Sequence, residues 1–545
     1  MPSFRPEGFS DQGSEKPVPA RRLYRGRLGS CLLPRHAGYV LIQQRLEGKV
    51  AVFERNKWPQ LSQECGVWSG LIAHIGDARG REWYPESSSS MFATSQHVHF
   101  IGIGGIGMSG IAEILLNLGM KVSGSDLRRG PVTDRLASMG AIIYEGHDAS
   151  HVGDATVVVT SSAVSPLNPE VLEAQTHKIP VIQRAEMLAE LMRLKYGIAI
   201  AGMHGKTTTT SMVASVLAAG GLDPTVVVGG RVDALGSNAR LGTTQYLVAE
   251  ADESDRSFLK LSPILAVVTN LDREHMDCYR DMADVERAYL DFMDKVPFYG
   301  AVTACVDNAL LKGILPRARR RVFTYGIADE ADYRIEFLDA GHDCYARFLV
   351  HTAAGPLGPF DLHVPGRHNV LNATAAVAIA HQLAVPAEKI AEGLDRFRGV
   401  DRRFQLRGMA RGITVVDDYG HHPTEIRATL AAARECGHRH IHVVFQPHRY
   451  TRTLDLLDEF AGAFKDADTL TVLPIYAASE EPIPGVTAEA LVAKIEGPRT
   501  EFVPDFAAAV AAVVAEAREG DLILTLGAGN VSQLGPLILA DLEKA

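Results

Sequence analysis

Short runs of apolar residues alternate with longer segments of helical periodicity along the chain after residue 96. The first run, HVHFI, leads through a glycine turn into the helical segment GMSGIAEILLNLG, and later runs include YLVAEA, ILAVVTN, HIHVVFQP and DLILTLGAG. Strands that are apolar along their whole length are typical of a sheet covered on both faces. Their alternation with helices predicts parallel sheets joined by right-handed crossovers, which is an α/β fold.

The pattern of elements also predicts the domain boundaries. One strand–helix series occupies residues 91–195, a second occupies 196–396, and a third occupies 397–545. Within the second series, the segments YRIEFL, YARFLVHTA and FDLHVP alternate apolar and polar residues, which is typical of antiparallel strands with one solvated face. The sequence therefore predicts three consecutive α/β domains, of which the central one has a mixed sheet.

Residues 1–90 differ in composition from the rest of the chain. They hold 13 Lys and Arg against 9 Asp and Glu, a net charge of +4 in a chain of net charge −10, and they contain all three tryptophans. A run of four serines precedes Met91. We expect this N-terminal extension to be a disordered leader, or an upstream reading in which Met91 is the true start; a small accessory element is the alternative.

The composition narrows the classes of function. No apolar run approaches the roughly 18 residues of a membrane span, and the N-terminus lacks the apolar core of a secretion signal. The net charge of −10 argues against a nucleic-acid partner. None of the six cysteines forms a Cys-x-x-Cys pair, so neither a zinc site nor a disulfide framework is indicated. We expect a cytoplasmic protein that is a monomer or a weak homodimer.

A glycine-rich turn follows the first predicted strand. The segment GIGGIGMSG matches Gly-x-Gly-x-x-Gly at Gly102, Gly104 and Gly107. Glycines allow a tight turn and a close approach of the backbone to a diphosphate, which then meets the free N–H groups of the next helix. Asp126 ends the second strand, where a dinucleotide fold places the acid that binds a ribose. Alone, the motif fits a nicotinamide cofactor, a UDP-sugar or a turn without a ligand.

The segment GMHGKTTTT, between a strand and a helix, is a stronger signal. We expect its backbone N–H groups to surround the phosphates of a nucleoside triphosphate, with Lys206 at the β- and γ-phosphate oxygens and the Thr207 hydroxyl on Mg²⁺. The loop is short for this class, because two residues rather than four separate Gly202 from Gly205. A chance match is the alternative.

Acidic, amide and histidine side chains follow the next two predicted strands, in VAEADESD and TNLDREHMD. They are Glu250, Asp252, Glu253, Asp255, Asn270, Asp272, His275 and Asp277. Loops at the carboxyl ends of parallel strands form the ligand site of an open α/β sheet, and carboxylates beside a triphosphate suit Mg²⁺. For any single acid, a solvated loop charge or a helix cap is the alternative.

The third series places VVDDYGHHPTE and FQPHRYTRT after two of its strands. Arg449 and Arg452 are three residues apart, so one helical turn brings them to the same face, and arginine suits bidentate capture of a carboxylate. Tyr419, His421 and His448 are candidates for the same pocket. A solvated basic face is the alternative for the arginines. A zinc site is the alternative for the histidines, and the proline after the histidine pair and the lack of a cysteine partner weaken it.

Together these segments resemble the Mur ligase family over residues 97–533. The similarity is carried by HFIGIGGIGMSGIAE, GMHGKTTTT, VAEADESD, TNLDREHMD, GRHNVLNATAA, DRRFQ, DDYGHHPTEI, QPHRYTRT and LGAGNV. It implies a Rossmann-like UDP-binding domain, a central P-loop ATPase-like mixed α/β domain and a C-terminal Rossmann-like α/β domain. Within the family it implies the branch that joins L-alanine to UDP-N-acetylmuramate. There ATP phosphorylates the carboxylate of the muramic acid, and the amine of L-alanine displaces phosphate from the acyl phosphate.

The resemblance assigns roles to residues of all three domains. The UDP-sugar is expected at Gly102, Gly104, Gly105, Ile106, Gly107, Met108, Ser109 and Asp126. ATP is expected at Gly202, Met203, His204, Gly205, Lys206, Thr207, Thr208, Asn369, Asn372, Arg403 and Asp417. L-alanine is expected at Tyr419, His421, His448, Arg449 and Arg452. Mg²⁺ is expected at Thr207, Glu250 and His275, and catalysis at Lys206, Glu250 and His275.

Two positions depart from the family pattern, and several rival functions stay open. Met203 stands where threonine is usual, and Arg256 replaces a common glycine, which predicts a slightly different turn. The nearest rival is the ligase that attaches a tripeptide to the same UDP-sugar, which HRYTRT and GIGGIGMSG disfavour. A folate-type polyglutamate ligase is disfavoured by the first domain. A nicotinamide dehydrogenase leaves GKTTTT unexplained, and a non-catalytic nucleotide-binding scaffold predicts no phosphate release with any amino acid.

Overall fold

The computed structural model describes residues 96–544 apart from 162, 233–236 and 340–344, together with the paired segments Tyr39–Val40 and Phe53–Glu54. Two units are distinguished, Met1–Ser88 and Ser89–Ala545, and all the candidate site residues lie in the second. The expectation of a leader or an upstream reading over residues 1–90 lies outside the described residues.

The first domain is built on a parallel sheet. Its strands are β1 His97–Ile101, β2 Lys121–Asp126, β3 Ile142–Glu145, β4 Val157–Thr160 and β5 Val181–Gln183. Its helices are α1 Ile106–Asn117, α2 Pro131–Ser138, α3 Pro169–Thr176 and α4 Arg184–Arg193. The strand order is β3-β2-β1-β4-β5, so the chain changes direction across the sheet between β1 and β4. The glycine turn after β1 therefore lies at the switch point, where open sheets bind ligands.

The central domain carries a mixed sheet of ten described strands. They are β6 Tyr196–Ala201, β7 Thr225–Val232, β8 Ser237–Arg240, β9 Tyr246–Glu250, β10 Leu265–Val268, β11 Ala301–Cys305, β12 Val322–Gly326, β13 Tyr333–Leu338, β14 Ala346–Thr352 and β15 Gly355–Leu362. The helices are α5 Lys206–Ala219, α6 Met282–Met293, α7 Ala309–Ile314, α8 Arg367–Gln382 and α9 Ala387–Asp395. The order is β8-β7-β9-β6-β10-β11-β12-β13-β14-β15.

The strands on either side of β6 determine which loops lie beside the GMHGKTTTT loop. Strands β9 and β10 flank β6 and run parallel to it. The loops after these three strands therefore meet at one edge of the sheet, which brings the two acidic segments beside the GMHGKTTTT loop. Strands β13, β14 and β15 pair antiparallel at the far end, as their alternating pattern predicts.

The C-terminal domain is a third sheet. Its strands are β16 Gln405–Ala410, β17 Ile413–Asp418, β18 Ile441–Phe445, β19 Thr469–Val472, β20 Arg499–Phe502 and β21 Leu522–Leu526. Its helices are α10 Pro423–Glu435, α11 Tyr450–Asp455, α12 Leu457–Ala461, α13 Ala488–Val492, α14 Phe506–Glu516 and α15 Leu534–Lys544. The order is β16-β17-β21-β18-β19-β20, parallel except for the edge strand β16.

The predicted three-domain α/β architecture is confirmed, and the apolar cores show how the domains are joined. One continuous cluster of buried apolar side chains extends from β1 through the central domain. The C-terminal sheet has separate clusters on its two faces. The central and C-terminal domains therefore have separate apolar cores, and the candidate site lies between these domains. Among the described helices, none is long and apolar enough to cross a membrane.

Candidate active site

The loop between β6 and α5, residues 202–206, is called the phosphate loop here. Lys206 is the first residue of α5, and its Nζ donates hydrogen bonds to the carbonyls of Gly202 at 2.8 Å and Met203 at 3.1 Å. Nζ also lies 2.8 Å from Glu253 Oε1. Burial opposes the charge of the ammonium, but the carboxylates of Glu253 and Glu250 raise the pKa of Lys206 above its ordinary value. The loop therefore holds a permanent positive charge at the start of a helix.

Gly202 is expected to tolerate no side chain. Its φ of 134° is a conformation that L-residues rarely adopt, and a Cβ there lies 1.9 Å from Thr269 Oγ1. We predict that Gly202→Ala lowers the free energy of unfolding by at least about 1–3 kcal/mol and weakens ATP binding. Thermal unfolding and nucleotide titration measure the two effects. Gly313→Ala is the matched control, because its Cβ meets nothing within 4 Å; equal stability of the two variants contradicts the prediction.

Hard oxygen donors and an imidazole lie beside the phosphate loop. Thr207 Oγ1 is 3.0 and 3.1 Å from the two carboxylate oxygens of Glu250. His275 has a left-handed φ of 56°, and its Nε2 lies 3.4 Å from Glu253 Oε1. Glu253 is 1% exposed, and its Oε2 is buried and has no hydrogen-bond partner among the described residues. A hydroxyl, a carboxylate and an imidazole on one cavity wall fit a divalent cation with oxygen preference.

A cavity between the phosphate loop and the C-terminal domain is lined by most of the predicted nucleotide residues. They are His204, Gly205, Thr207, Thr208, Asn369, Asn372 and Arg403. The structure places Asp417 outside this cavity, which corrects the expectation for that residue. Asp417 is fully buried, and it accepts hydrogen bonds from Arg402 at 3.1 Å, Arg407 at 3.1 Å and Thr525 at 2.7 Å. Its neighbour Asp418 lines the cavity instead.

The predicted amino-acid residues gather in an adjoining cavity, called the amino-acid pocket here. Tyr419, His421, His448, Arg449 and Arg452 line it together with Lys206, Thr207, Glu250 and His275. The two arginines have different partners. Arg449 pairs with Glu480 at 2.5 Å and Asp277 at 3.2 Å, whereas Arg452 pairs with Glu274 at 3.2 Å. The pocket thus joins a phosphate site to two guanidinium groups.

His448 is held neutral by its surroundings. Burial lowers the pKa of this imidazole most, and the neighbouring His421, Arg452 and Arg449 lower it further, to about 3. Arg452 Nη1 donates to His448 Nδ1 at 3.0 Å. The proton of the neutral ring therefore sits on Nε2, where it is a hydrogen-bond donor. A neutral donor beside two arginines suits an anionic group of a substrate.

The predicted UDP-sugar residues lie at the switch point of the first sheet. The Gly102 N–H donates to the Ser125 carbonyl at 2.8 Å, and the Gly104 N–H donates to Asp126 Oδ2 at 2.8 Å. Asp126 therefore fastens the glycine turn, in addition to any contact with a ribose. Gly105 and Gly107 flank the start of α1 at Ile106, and the side chains of Met108 and Ser109 are buried in that helix.

A hydrogen-bonded cluster joins the phosphate loop to the C-terminal domain. His204 Nε2 lies 2.9 Å from Asp272 Oδ2, which also accepts from the Thr424 hydroxyl at 2.6 Å. His422 completes a group whose potential ligand atoms lie within 4.8 Å of one another. Burial alone lowers the pKa of His204, but Asp272 and Glu425 raise it to about 10. The cluster is thus a bridge between domains with a protonated imidazole at its centre.

This bridge predicts a loss of stability in alkaline solution. A folded-state pKa of about 10 exceeds the ordinary value of 6.5, so the stabilisation is complete below pH 6.5 and is lost as pH rises toward 10. We expect the unfolding midpoint of the protein to fall more between pH 7 and 10 than that of His204→Gln. Thermal unfolding of both proteins across this range tests the prediction, and parallel curves contradict it.

Several residues of the site were not assigned a role from the sequence. They are three carboxylates that form ion pairs with the predicted cations: Glu253 with Lys206, Glu274 with Arg452, and Glu480 with Arg449. Glu253 was only one of several acids in its segment. The spacing of acids in a loop does not show which of them points inward. The left-handed backbone at His275 and Arg449 is a further sign of function, since strain of this kind collects at active sites.

Three family models match the chain in sequence order. Residues 97–196 match the Mur ligase family catalytic domain, residues 200–380 the Mur ligase middle domain, and residues 402–529 the Mur ligase glutamate ligase domain. Together they cover most of the chain.

Full-length relatives and a solved structure agree with these matches. The UDP-N-acetylmuramate–L-alanine ligase of Acidobacterium capsulatum is 68% identical over 453 residues, which are 83% of this chain and 99% of the relative. That of Koribacter versatilis is 65% identical over 461 residues, 83% and 98% of the two chains. The crystal structure of the UDP-N-acetylmuramate–alanine ligase of Thermotoga maritima superposes with a TM-score of 0.67 at 28% identity. It covers 82% of this chain and 99% of its own.

Proposed function

Because the chain belongs to the Mur ligase family, we propose that it joins L-alanine to the carboxylate of UDP-N-acetylmuramate with ATP, in the synthesis of peptidoglycan precursors. The products are ADP, phosphate and UDP-N-acetylmuramoyl-L-alanine. We also propose the domain boundaries 91–195, 196–396 and 397–545. One observation carries the proposal: the phosphate loop and a pocket with two arginines share one cavity between two domains.

The phosphate loop supports the first chemical step. A carboxylate oxygen of the muramic acid attacks the γ-phosphorus of ATP, and the bond to the β-phosphate oxygen breaks, so that ADP leaves. Lys206 supplies a fixed positive charge against the charge on the transferred phosphoryl group. The N–H groups at the start of α5 bind phosphate oxygens. The residues of this chain position the reactants and stabilise charge, and no covalent intermediate on the protein is required.

Thr207, Glu250 and His275 fit a Mg²⁺ site. The Thr207 hydroxyl and the Glu250 carboxylate already lie together, and His275 lines the same cavity. When bound, Mg²⁺ neutralises phosphate charge beside Lys206. Glu253 Oε1 forms the ion pair with Lys206 Nζ and lies 3.4 Å from His275 Nε2.

The amino-acid pocket supports the second step. The unprotonated amine of L-alanine attacks the acyl carbon, the bond from that carbon to the phosphate oxygen breaks, and the nitrogen loses a proton as the amide forms. The cationic lining of the pocket and the neutral His448 suit the carboxylate of the amino acid. Closure of the C-terminal domain over the phosphate loop excludes water, which otherwise hydrolyses the acyl phosphate.

Phosphate release with ATP and UDP-N-acetylmuramate, measured across amino acids and peptides, tests the proposal. We expect L-alanine to give the highest kcat/KM and omission of any substrate to abolish release. Release with a tripeptide but not with L-alanine supports the recycling ligase instead. Absence of release with every amine contradicts a ligase function.

A further inference from the structure

A buried carboxylate at the interface of the central and C-terminal domains lies near three side chains of the site. Glu274 is 6% exposed. Its Oε1 lies 3.2 Å from Arg452 Nη2 and 3.5 Å from His421 Nε2, and its Oε2 lies 3.7 Å from His204 Nδ1. His204 belongs to the phosphate loop, whereas Arg452 and His421 line the amino-acid pocket. One side chain thus touches both the nucleotide site and the amino-acid site.

The backbone next to Glu274 explains how it reaches across the interface. His275 adopts a left-handed φ of 56°, and its imidazole lies 3.4 Å from Glu253, on the phosphate side. Glu274, the preceding residue, extends to the C-terminal domain. Neighbouring residues of one strained turn therefore line the same cavity, where His275 lies near Glu253 and Glu274 pairs with Arg452. A change in the position of this turn moves both side chains together.

Arg452 depends on this carboxylate. Arg452 is 9% exposed, and its Nη1 donates to His448 Nδ1 at 3.0 Å and to the His448 carbonyl at 3.2 Å. Among the described residues, Glu274 is the carboxylate that pairs with Arg452. Removing one partner of a buried ion pair leaves the other charge uncompensated. A conformation in which that charged side chain reaches solvent then becomes favourable. Arg452 is then expected to leave the orientation that the pocket needs.

We propose that Glu274 is a positioning residue that sets Arg452 and His421 in the amino-acid pocket from the side of the phosphate loop. The inference rests on the proposed ligase function. Glu274 lines the same cavity as Arg452 and His421, and the role assigned to it is to orient those two side chains. Because Glu274 belongs to the central domain and Arg452 to the C-terminal domain, the pairing depends on how these two domains meet.

Steady-state kinetics of Glu274→Gln test this role. The substitution keeps the shape of the side chain and removes its charge. We expect the KM for L-alanine to rise roughly tenfold or more, and the KM for ATP and for the UDP-sugar to change by less than about threefold. Glu274→Asp keeps the charge and is expected to recover part of the loss. An alanine KM within about twofold of the wild type, or an equal rise for all three substrates, overturns the proposal.

Glu459→Gln is the matched control. Glu459 lies 3.7 Å from Arg273, the residue before Glu274, and this pair also crosses the interface. Its side chains are 43% and 54% exposed, however, so the pair contributes little. We expect wild-type kinetics from this variant. A rise in the alanine KM equal to that of Glu274→Gln shows that any interdomain charge suffices, which overturns the specific role.

A double-mutant cycle on the free protein separates this inference from the proposed function. The thermal midpoints of Glu274→Gln, Arg452→Gln and the double variant need no substrate. We expect Arg452→Gln to lower the midpoint less in the Glu274→Gln background than in the wild type. Additive effects overturn the pairing. If the wild type releases no phosphate with L-alanine, the ligase proposal fails, while the cycle still decides whether Glu274 fixes Arg452.

Discussion

Lys206→Ala is expected to lower kcat for phosphate release by about 10²-fold or more while the protein stays folded. Nζ of Lys206 contacts two loop carbonyls and Glu253. We expect the ammonium to exchange the carbonyls for phosphate oxygens when ATP binds. Its charge then opposes the negative charge that is spread over the transferred phosphoryl group. Phosphate release under saturating ATP, UDP-N-acetylmuramate and L-alanine measures the effect.

Lys312→Ala is the control for Lys206→Ala. Lys312 also carries a carboxylate partner, Glu330, but both side chains are more than half exposed and lie outside the cavities of the site. We expect its kcat to equal that of the wild type. Thermal unfolding of both variants shows whether the fold is kept. Near-normal turnover by folded Lys206→Ala disproves the assignment of the phosphate loop.

The apolar runs were sufficient to predict the parallel strands. HVHFI became β1, YLVAEA became β9, and HIHVVFQP became β18. A strand that is buried on both faces can be predicted from its own residues, because each of them must be apolar whichever strand it pairs with. Strands β7 and β8 were not predicted. The segment TVVVGGRV contains two glycines, and SNAR has no apolar alternation. Their antiparallel pairing with each other, and the parallel pairing of β7 with β9, therefore leave little trace in either segment alone.

The sequence predicted site residues well where the backbone conformation requires a particular residue type. It predicted them less well where a role depends on the direction in which a side chain points. Successive residues of a strand point to opposite faces. Asp417 and Asp418 end β17 side by side, and the sequence does not say which one faces the ligand. Asp418 lines the nucleotide cavity, while Asp417 binds Arg402 and Arg407. The sequence therefore identified the correct segment for the nucleotide cavity but named Asp417, whose neighbour Asp418 lines it.

Arg256 shows how a departure from the family pattern is accommodated. The residue keeps a left-handed φ of 61°, which glycine adopts without strain. Its guanidinium pairs with Asp284, donates to the Cys278 carbonyl at 3.1 Å and lies 4.5 Å from the centre of the Tyr279 ring. Tyr279 in turn donates to the Glu253 carbonyl at 2.7 Å. These contacts offset the strain, and they brace the loop that carries Glu253.

The spacing of Arg449 and Arg452 predicted a shared pocket, and the structure now separates their roles. Arg449 precedes α11 and is paired with two carboxylates, Glu480 and Asp277, so its charge is neutralised before a substrate arrives. Arg452 lies within α11, is buried, and shares its charge with Glu274. We therefore expect Arg452 to hold the carboxylate of L-alanine and Arg449 to shape the pocket wall.

Arg452→Lys is expected to raise the KM for L-alanine by roughly 10- to 100-fold, because lysine lacks the fork that binds both carboxylate oxygens and loses one charged hydrogen bond. The KM for ATP is expected to stay near its wild-type value, since the nucleotide cavity is lined by other residues. Arg449→Lys is the matched control, with the same chemical change on a residue already paired twice. A larger alanine KM for Arg449→Lys assigns the carboxylate to Arg449 instead. If both variants keep the wild-type value, L-alanine binds elsewhere.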